Sequence, residues 1–351
     1  MIEFNGLEST GKSHQLDHII RETCKVGAFF LCDAEHAHEV ARMKLIGCDL
    51  TNFRFMEKPR QVGEPGEEEE ELTSDLESSE PEAGKKKKGK GGKKGKQEKK
   101  AKVSDDVILE EFFDISERTI LKFRKNYAKD IPIVVAVDSL AAIETALQAA
   151  TNDPNMKDKI DTSAVMAFLL KGFCSCLSNN NASLIIVNQL RTRVGVTYGD
   201  PLYSYGGGAK DFHFSVRVRL EKATQITVEE DYGCTDTECL STDVSGMQGK
   251  GQIVKNKVAR PWRKFRFPFY FDARGIWYEQ CLAQLIIDRQ KWKFSDDLEK
   301  MSKDGKKEGN TLFWRGNKVG TGEKELTMAF VEDPGLMVEM EQGLFIDGEE
   351  G

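Results

Sequence analysis

Residues 6–13 read Gly-Leu-Glu-Ser-Thr-Gly-Lys-Ser, so Gly6 and Gly11 bracket four residues and Lys12 and Ser13 follow at once. This spacing suits the binding of a phosphate chain. The glycines let backbone N–H groups of Glu8, Ser9 and Thr10 wrap an anion, and the helix that follows adds its N-terminal dipole. Lys12 would reach the outer phosphates, and the Ser13 hydroxyl would ligate a divalent cation such as Mg²⁺. A second acidic position belongs to the same chemistry. "IPIVVAVDS" is an unbroken apolar run ending in Asp138-Ser139, where Asp138 would hold the cation directly or through water. Hydrolysis also needs a group that orients and deprotonates water. "CDAEHAHE" supplies Glu35 for that role. His36 and His38 alternate across what reads as an exposed strand-to-helix turn, so they are not taken as metal ligands.

These residues need elements to position them. "MIEF" reads as a short strand before the glycine loop, and a helix is expected from about Lys12 to Cys24. "GAFFLCDAE" reads as a buried strand, followed by a helix from about Glu39 to Ile46, with "RFMEKP" as a further strand. "SERTILKFRKNYAK" has helical periodicity, "TSAVMAFLLKGFCSCLSNN" a long helix, and "SLIIVNQ" a central strand. "FSVRVRLEKA" and "QIVKNKV" suggest an antiparallel pair, followed by "KFRFPFYF". The alternation predicts an α/β core, mainly parallel, with an antiparallel extension and helices on both faces. The core is expected over residues 1–280 and a small α+β domain with an acidic end over 281–351.

The segment 63–102 has an acidic half, "GEPGEEEEELTSDLESSEPE", and a basic half, "GKKKKGKGGKKGKQEKKAK". It is nearly free of large apolar residues and is expected to be a disordered, charge-segregated insert, either a solvated loop or a basic tether for nucleic acid or a partner. The whole chain has a net charge of -7 and is 39% hydrophobic. No run of about 18 apolar residues is present for a membrane helix, and the start reads as a strand rather than a leader. The eight cysteines are scattered. Cys174/Cys176 and Cys234/Cys239 lack CxxC spacing, so reduced thiols in a cytoplasmic protein are expected.

Taken in order, "GLESTGKS", "DAEHA", "VVAVDSLAAI", "IIVNQLRTRVGVTYGDP", "GGGAKDFHFSVRVRL" and "VKNKVARP" resemble the RecA recombinase family, phage-type members included, over roughly Ile2 to Ile276. "FWRGNKVGTGEKELTMAFVEDP" looks less specifically like that family's small C-terminal domain. The resemblance implies a RecA-like P-loop ATPase core using ATP and Mg²⁺, with Glu35, Lys12 and Gln189 as catalytic residues. Gln189 would sense the γ-phosphate and pass its state to the adjoining loop; Lys255 and Lys257 would reach a neighbouring subunit's ATP. Glu39 would lie near the ribose and Phe271 near the base. The stretch from Leu190 to Lys210 would be the main DNA-binding loop, with Arg191, Arg193, Tyr198, Gly206, Gly207 and Gly208. Arginines there neutralise phosphates, an aromatic stacks on bases, and glycines admit the backbone. A second loop, roughly Gln148 to Asp161, and Lys171 on the next helix would join it.

Four departures from that family stand out. Its members carry a helix and strand before the glycine loop that dock on the next subunit, whereas here the loop begins five residues after Met1; the expectation is a contact supplied by another chain or made in another way. Asp211 stands where the family tends to carry a lysine, Arg42 replaces an aromatic near the adenine, and the insert at 63–102 is extra. The expected function is ATP-dependent recombination: binding single- and double-stranded DNA, homologous pairing and strand exchange by a homo-oligomer or filament, with no membrane role. Two alternatives are a non-catalytic paralogue that regulates a recombinase and a helicase motor on the same fold.

Overall fold

The computed structural model describes residues 1–56, 107–151, 162–192, 195, 198–199, 201–233, 240, 242–290, 298–301 and 311–346. The insert at 63–102, Arg193, Cys234, Cys239, most of the second expected loop and the acidic end therefore lie outside the described residues. β1 (Ile2–Gly6) leads into α1 (Lys12–Cys24), and β2 (Ala28–Asp33) into α2 (Val40–Leu45). β3 is the short Phe53–Phe55. Then come α3 (Leu109–Asn126), β4 (Ile133–Asp138), α4 (Ala146–Ala149) and α5 (Thr162–Asn179). β5 (Ala182–Thr192), β6 (Leu202–Ser204), α6 (Ala209–His213), β7 (Val216–Thr227), β8 (Val244–Asn256) and β9 (Lys264–Tyr270) complete the main sheet.

Among the described residues that sheet has nine strands, in the order β3-β2-β4-β5-β1-β7-β8-β9 with β6 beside β5. Along that order the pairings from β3 to β7 are parallel and those of β7 with β8 and β8 with β9 antiparallel, while β6 pairs antiparallel with β5. The apolar runs of β4 and β5 lie at the centre because parallel strands are covered on both faces and must be apolar throughout. One face is closed by Phe112, Phe113 and Ile120 of α3 with Met166, Leu170 and Phe173 of α5. The other is closed by Leu16, Ile20 and Cys24, spaced four apart along α1, against Phe29, Leu31 and Val187. α3 starts earlier than its sequence periodicity suggests, because the Glu111 carboxylate accepts from the Ile108 N–H at 3.3 Å and so caps the first turn.

Beyond the sheet, α7 (Tyr278–Gln290) runs through position 281. β10 (Leu298–Met301), β11 (Thr311–Trp314) and β12 (Asn317–Thr321) form a separate antiparallel sheet, followed by α8 (Gly322–Glu332) and α9 (Pro334–Ile346). Leu282 and Ile286 of α7, Leu312, Trp314, Leu326 and Phe330 make its own apolar cluster. The two parts touch where Tyr232 meets Thr327 at 3.2 Å, where the Tyr270 hydroxyl donates to Gln280 at 2.8 Å and where Gln284 donates to Gln248 at 3.1 Å. No helix among the described residues is long and apolar enough to cross a membrane.

Candidate active site

Parallel strands bring their C-terminal ends to one edge, where ligands bind in such sheets. Register does the rest: Gly6 lies opposite Gln189, and Asp33 opposite Asp138. At that edge is a cleft of about 490 Å³ lined by the glycine loop from Glu8 to Ser13, by Glu35, Asp138 and Gln189, and by His14, Arg42, Phe269 and Phe271. Residues separated by more than 250 positions thus meet around one loop.

Gly11 has φ 84° and a position where an added Cβ would press on the Phe269 ring at 3.1 Å, so the turn into α1 needs glycine. Thr10 Oγ1 donates to the Leu7 carbonyl at 3.0 Å, and Lys12 Nζ donates to the same carbonyl at 2.7 Å, which keeps the ammonium over the loop. Burial lowers the Lys12 pKa, opposed by the charges of Asp138, Glu35 and Glu8. Ser13 Oγ donates to Asp138 Oδ2 at 2.7 Å. A hydroxyl and a carboxylate at that separation form an all-oxygen donor set, the kind a hard cation such as Mg²⁺ takes.

Glu35 is exposed at the cleft and accepts from Gln189 Nε2 at 2.9 Å and from the Ser139 hydroxyl. At the far end of the cleft the rings of His14, Phe269 and Phe271 cluster, with centroids 4.6 Å apart for His14–Phe269 and 6.4 Å for His14–Phe271. Burial, with Arg42 nearby, lowers the His14 pKa to about 4, so the ring is neutral at physiological pH. Its Nε2 is buried and has no hydrogen-bond partner among the described residues. An aromatic wall with one unmatched ring nitrogen fits a heteroaromatic base.

His38 corrects the sequence reading. It is buried rather than on an exposed turn, and its ring bridges two carboxylates: Nδ1 to Asp17 Oδ1 at 2.6 Å and Nε2 to Asp138 Oδ2 at 3.0 Å. His36 stays exposed with φ 53°, which breaks the strand-like alternation and turns His38 inward. Burial opposes a charge on His38, but the hydrogen bonds and charges of Asp138 and Asp17 prevail and raise its pKa to about 10. Carboxylates only accept, so both ring nitrogens donate.

A second buried network runs beneath the expected DNA loop. Glu3 on β1 is 0% exposed and takes four donors: Lys210 Nζ at 3.1 Å, Arg217 Nε at 2.6 Å, Asn188 Nδ2 at 2.9 Å and Asn5 Nδ2 at 3.3 Å. Burial alone would raise its pKa; the charges of Lys210 and Arg217 and the hydrogen bonds from Asn188 and Arg217 lower it to about 2. Lys210 also donates to Ser204 Oγ at 2.9 Å and to the Tyr205 carbonyl. Asn188 donates to the Tyr205 carbonyl at 2.8 Å and accepts from the Gln189 N–H at 2.9 Å. Glu35 is thus linked through the side chain and then the backbone N–H of Gln189 to Asn188 and on to Tyr205, the residue before the Gly206–Gly208 run. Sequence reading missed Glu3, Asn188, Lys210 and Arg217 as a group, because each looks like an ordinary polar residue until the sheet brings them together.

In the loop itself, Arg191 is exposed at the end of β5 with its guanidinium 4.8 Å from the Tyr205 ring centroid, and Tyr198 is 97% exposed. Gly207 packs so closely on α5 that an added Cβ would lie 2.2 Å from Ser163 Oγ. Lys171 is placed elsewhere, in the α3–α5 groove beside Glu110, Asp114 and Glu117. Asp211 is engaged within its own chain by Arg217, so its charge is offset locally. Lys255 and Lys257 donate to the carbonyls of Asp211 and Phe212, the latter at 2.7 Å, and lie outside the chain's own cleft. Glu39 is also outside the cleft lining and stands before the first residue of α2.

A model of the RecA N-terminal domain matches residues 113–276. The protein RecA of Geobacter sulfurreducens is 25% identical over 97% of this chain and 77% of its own length. That of Syntrophus aciditrophicus is 26% identical over 97% and 76%, and that of Staphylococcus epidermidis 25% identical over 98% and 75%. A crystal structure of the RadB recombinase aligns with 78% of this chain and 88% of its own at 11% identity and a TM-score of 0.41. The main sheet is mostly parallel α/β with an antiparallel extension, and the chain is similar to RecA proteins along nearly its whole length.

Proposed function

We propose that the chain is a RecA-type, DNA-dependent ATPase that binds single-stranded DNA and promotes homologous pairing with a duplex and strand exchange. The observation that carries this reading is the path from Glu35 through Gln189 and Asn188 to Tyr205. It couples a phosphate-binding cleft to a loop of exposed arginine, tyrosine and glycine. Similarity to RecA proteins at about 25% identity supports it.

The residues take these parts. The loop from Gly6 to Ser13 binds the phosphates, with Lys12 neutralising the outer ones. Ser13 and Asp138 would hold Mg²⁺, which supplies charge neutralisation on the phosphates when bound with ATP. Phe271 and His14 receive the base. Glu35 orients water and takes its proton, while Gln189 and Ser139 hold the carboxylate. A change in Gln189 is felt at its neighbour Asn188 and so at the base of the loop. Lys255 and Lys257, outside their own cleft, serve the nucleotide of an adjacent copy in a filament, where they stabilise the transition state in trans.

The test is ATP hydrolysis by the purified chain, with and without single-stranded DNA, beside Lys12→Ala and Glu35→Gln. DNA-stimulated turnover in the wild type, no nucleotide binding in the first variant, and turnover lowered by about 10²-fold or more with binding kept in the second are expected. Absence of turnover with DNA binding retained would favour a regulatory paralogue. Unwinding of duplex without a homologous partner would favour a helicase motor.

A further inference from the structure

Asp17 and His38, which bridge to Asp138, have no part in the roles above. The three side chains come from α1, from the turn after β2, and from the end of β4, and all three are buried. Asp138 Oδ2 takes both the Ser13 hydroxyl at 2.7 Å and His38 Nε2 at 3.0 Å, so its orientation is set from two sides. The imidazole is fixed in turn by Asp17 at 2.6 Å. The backbone around it is pinned as well: the N–H groups of Ala37 and His38 both donate to the Asp33 carboxylate at 3.0 Å, and those of Ala34 and Glu35 to the Asp138 carbonyl at 2.8 and 3.2 Å. A short carboxylate side chain has two torsions that must be frozen before it can hold a cation in place. A ring clamped at both nitrogens does that at little entropic cost.

We propose that His38, held by Asp17, is a positioning residue that fixes the Asp138 carboxylate for Mg²⁺ and thereby couples cation binding to the seating of α1 and the Glu35 turn. The proposal rests on the nucleotide-site reading above. It extends that reading to two residues that no part of the phosphate loop requires. Outer partners of this kind typically change metal affinity by about 10–100-fold when removed. The groups that face His38 are Asp17 and Asp138, with Arg42 Nε 3.9 Å from Asp17 Oδ2 on the outer side.

The experiment uses the full chain and a fluorescent ATP analogue. Affinity is measured in EDTA and then as Mg²⁺ is titrated, for the wild type, Asp17→Asn and His38→Gln, with circular dichroism to establish folding. The wild type is expected to bind the analogue more tightly as Mg²⁺ rises. Both variants should need about 10–100-fold more Mg²⁺ while their affinity in EDTA is unchanged. In turnover at fixed Mg²⁺ they should lower kcat and raise KM for ATP, and excess Mg²⁺ should restore both. Equal loss of affinity with and without Mg²⁺, or an unchanged Mg²⁺ requirement in folded variants, would overturn the positioning role while leaving the nucleotide site standing. Failure of both variants to fold would assign the bridge to the fold alone and overturn it too. No analogue binding by the wild type would defeat the underlying nucleotide-site reading, a result distinct from the others.

Discussion

Glu3→Gln should be among the most damaging isosteric substitutions in this chain. The glutamate is 0% exposed and is the acceptor for four converging donors, two of them cationic. An amide keeps the shape but removes the charge, and it turns an N–H₂ toward Lys210 or Arg217, which can only donate. Lys210, also 0% exposed, then loses its anionic partner. Removing one member of a buried ion pair costs about 3–5 kcal/mol. The Glu3 pKa leads to a similar figure: a fall from 4.5 to about 2 on folding is worth about 3 kcal/mol. Lys210→Met should cost at least ~1 kcal/mol less, because Glu3 keeps Arg217 and both asparagines and the lysine no longer has to be desolvated. The double variant should be more stable than the sum of the single losses implies. Urea unfolding followed by circular dichroism, with m-values compared, measures all three. A Glu3→Gln loss below ~1 kcal/mol, or a Lys210→Met loss as large as that of Glu3→Gln, would refute the assignment of Glu3 as the shared counter-charge.

The same carboxylate gives a pH dependence. Its folded pKa is depressed, so its stabilisation is present above about 4.5 and is lost as pH falls toward about 2. Acid unfolding of the wild type should show that loss, and Glu3→Gln should lack it. Phe271→Ala should weaken nucleotide binding about 10-fold through lost stacking and leave thermal unfolding nearly unchanged, since that ring is half exposed at the cleft. Lys255→Ala should spare nucleotide binding by the isolated chain and remove about 10²-fold of DNA-stimulated turnover; unchanged turnover would rule out action in trans.

The phosphate loop and the central strands were legible because each is a local pattern. Six residues of apolar run ending in Asp138 can be little else than a buried parallel strand. Glu35 and Asp138 were legible from what adjoins them and Gln189 from the family resemblance, and register then brought them to one edge. The two buried polar networks were not legible. Glu3 sits between the apolar Ile2 and Phe4 of β1, and its distant partners are Asn188 and Arg217, brought close by parallel pairing of β1 with β5 and β7, and Lys210 on α6. His38 was misread for a backbone reason: alternation implies exposure only while the chain stays extended, and His36 at φ 53° ends that. Lys171 was named by likeness to a family pattern; it lines the groove between α3 and α5 with Glu110, Asp114 and Glu117.

The central claim is that the nucleotide cleft controls the DNA loop. It is tested most directly by titrating a fluorescent single-stranded oligonucleotide with the chain at fixed ionic strength, in Mg²⁺ with a non-hydrolysable ATP analogue, with ADP, and with no nucleotide. The account predicts that the analogue raises affinity over ADP by about 5–150-fold, and that Gln189→Ala abolishes the difference without abolishing DNA binding. Equal affinity under all three conditions in the wild type would contradict it.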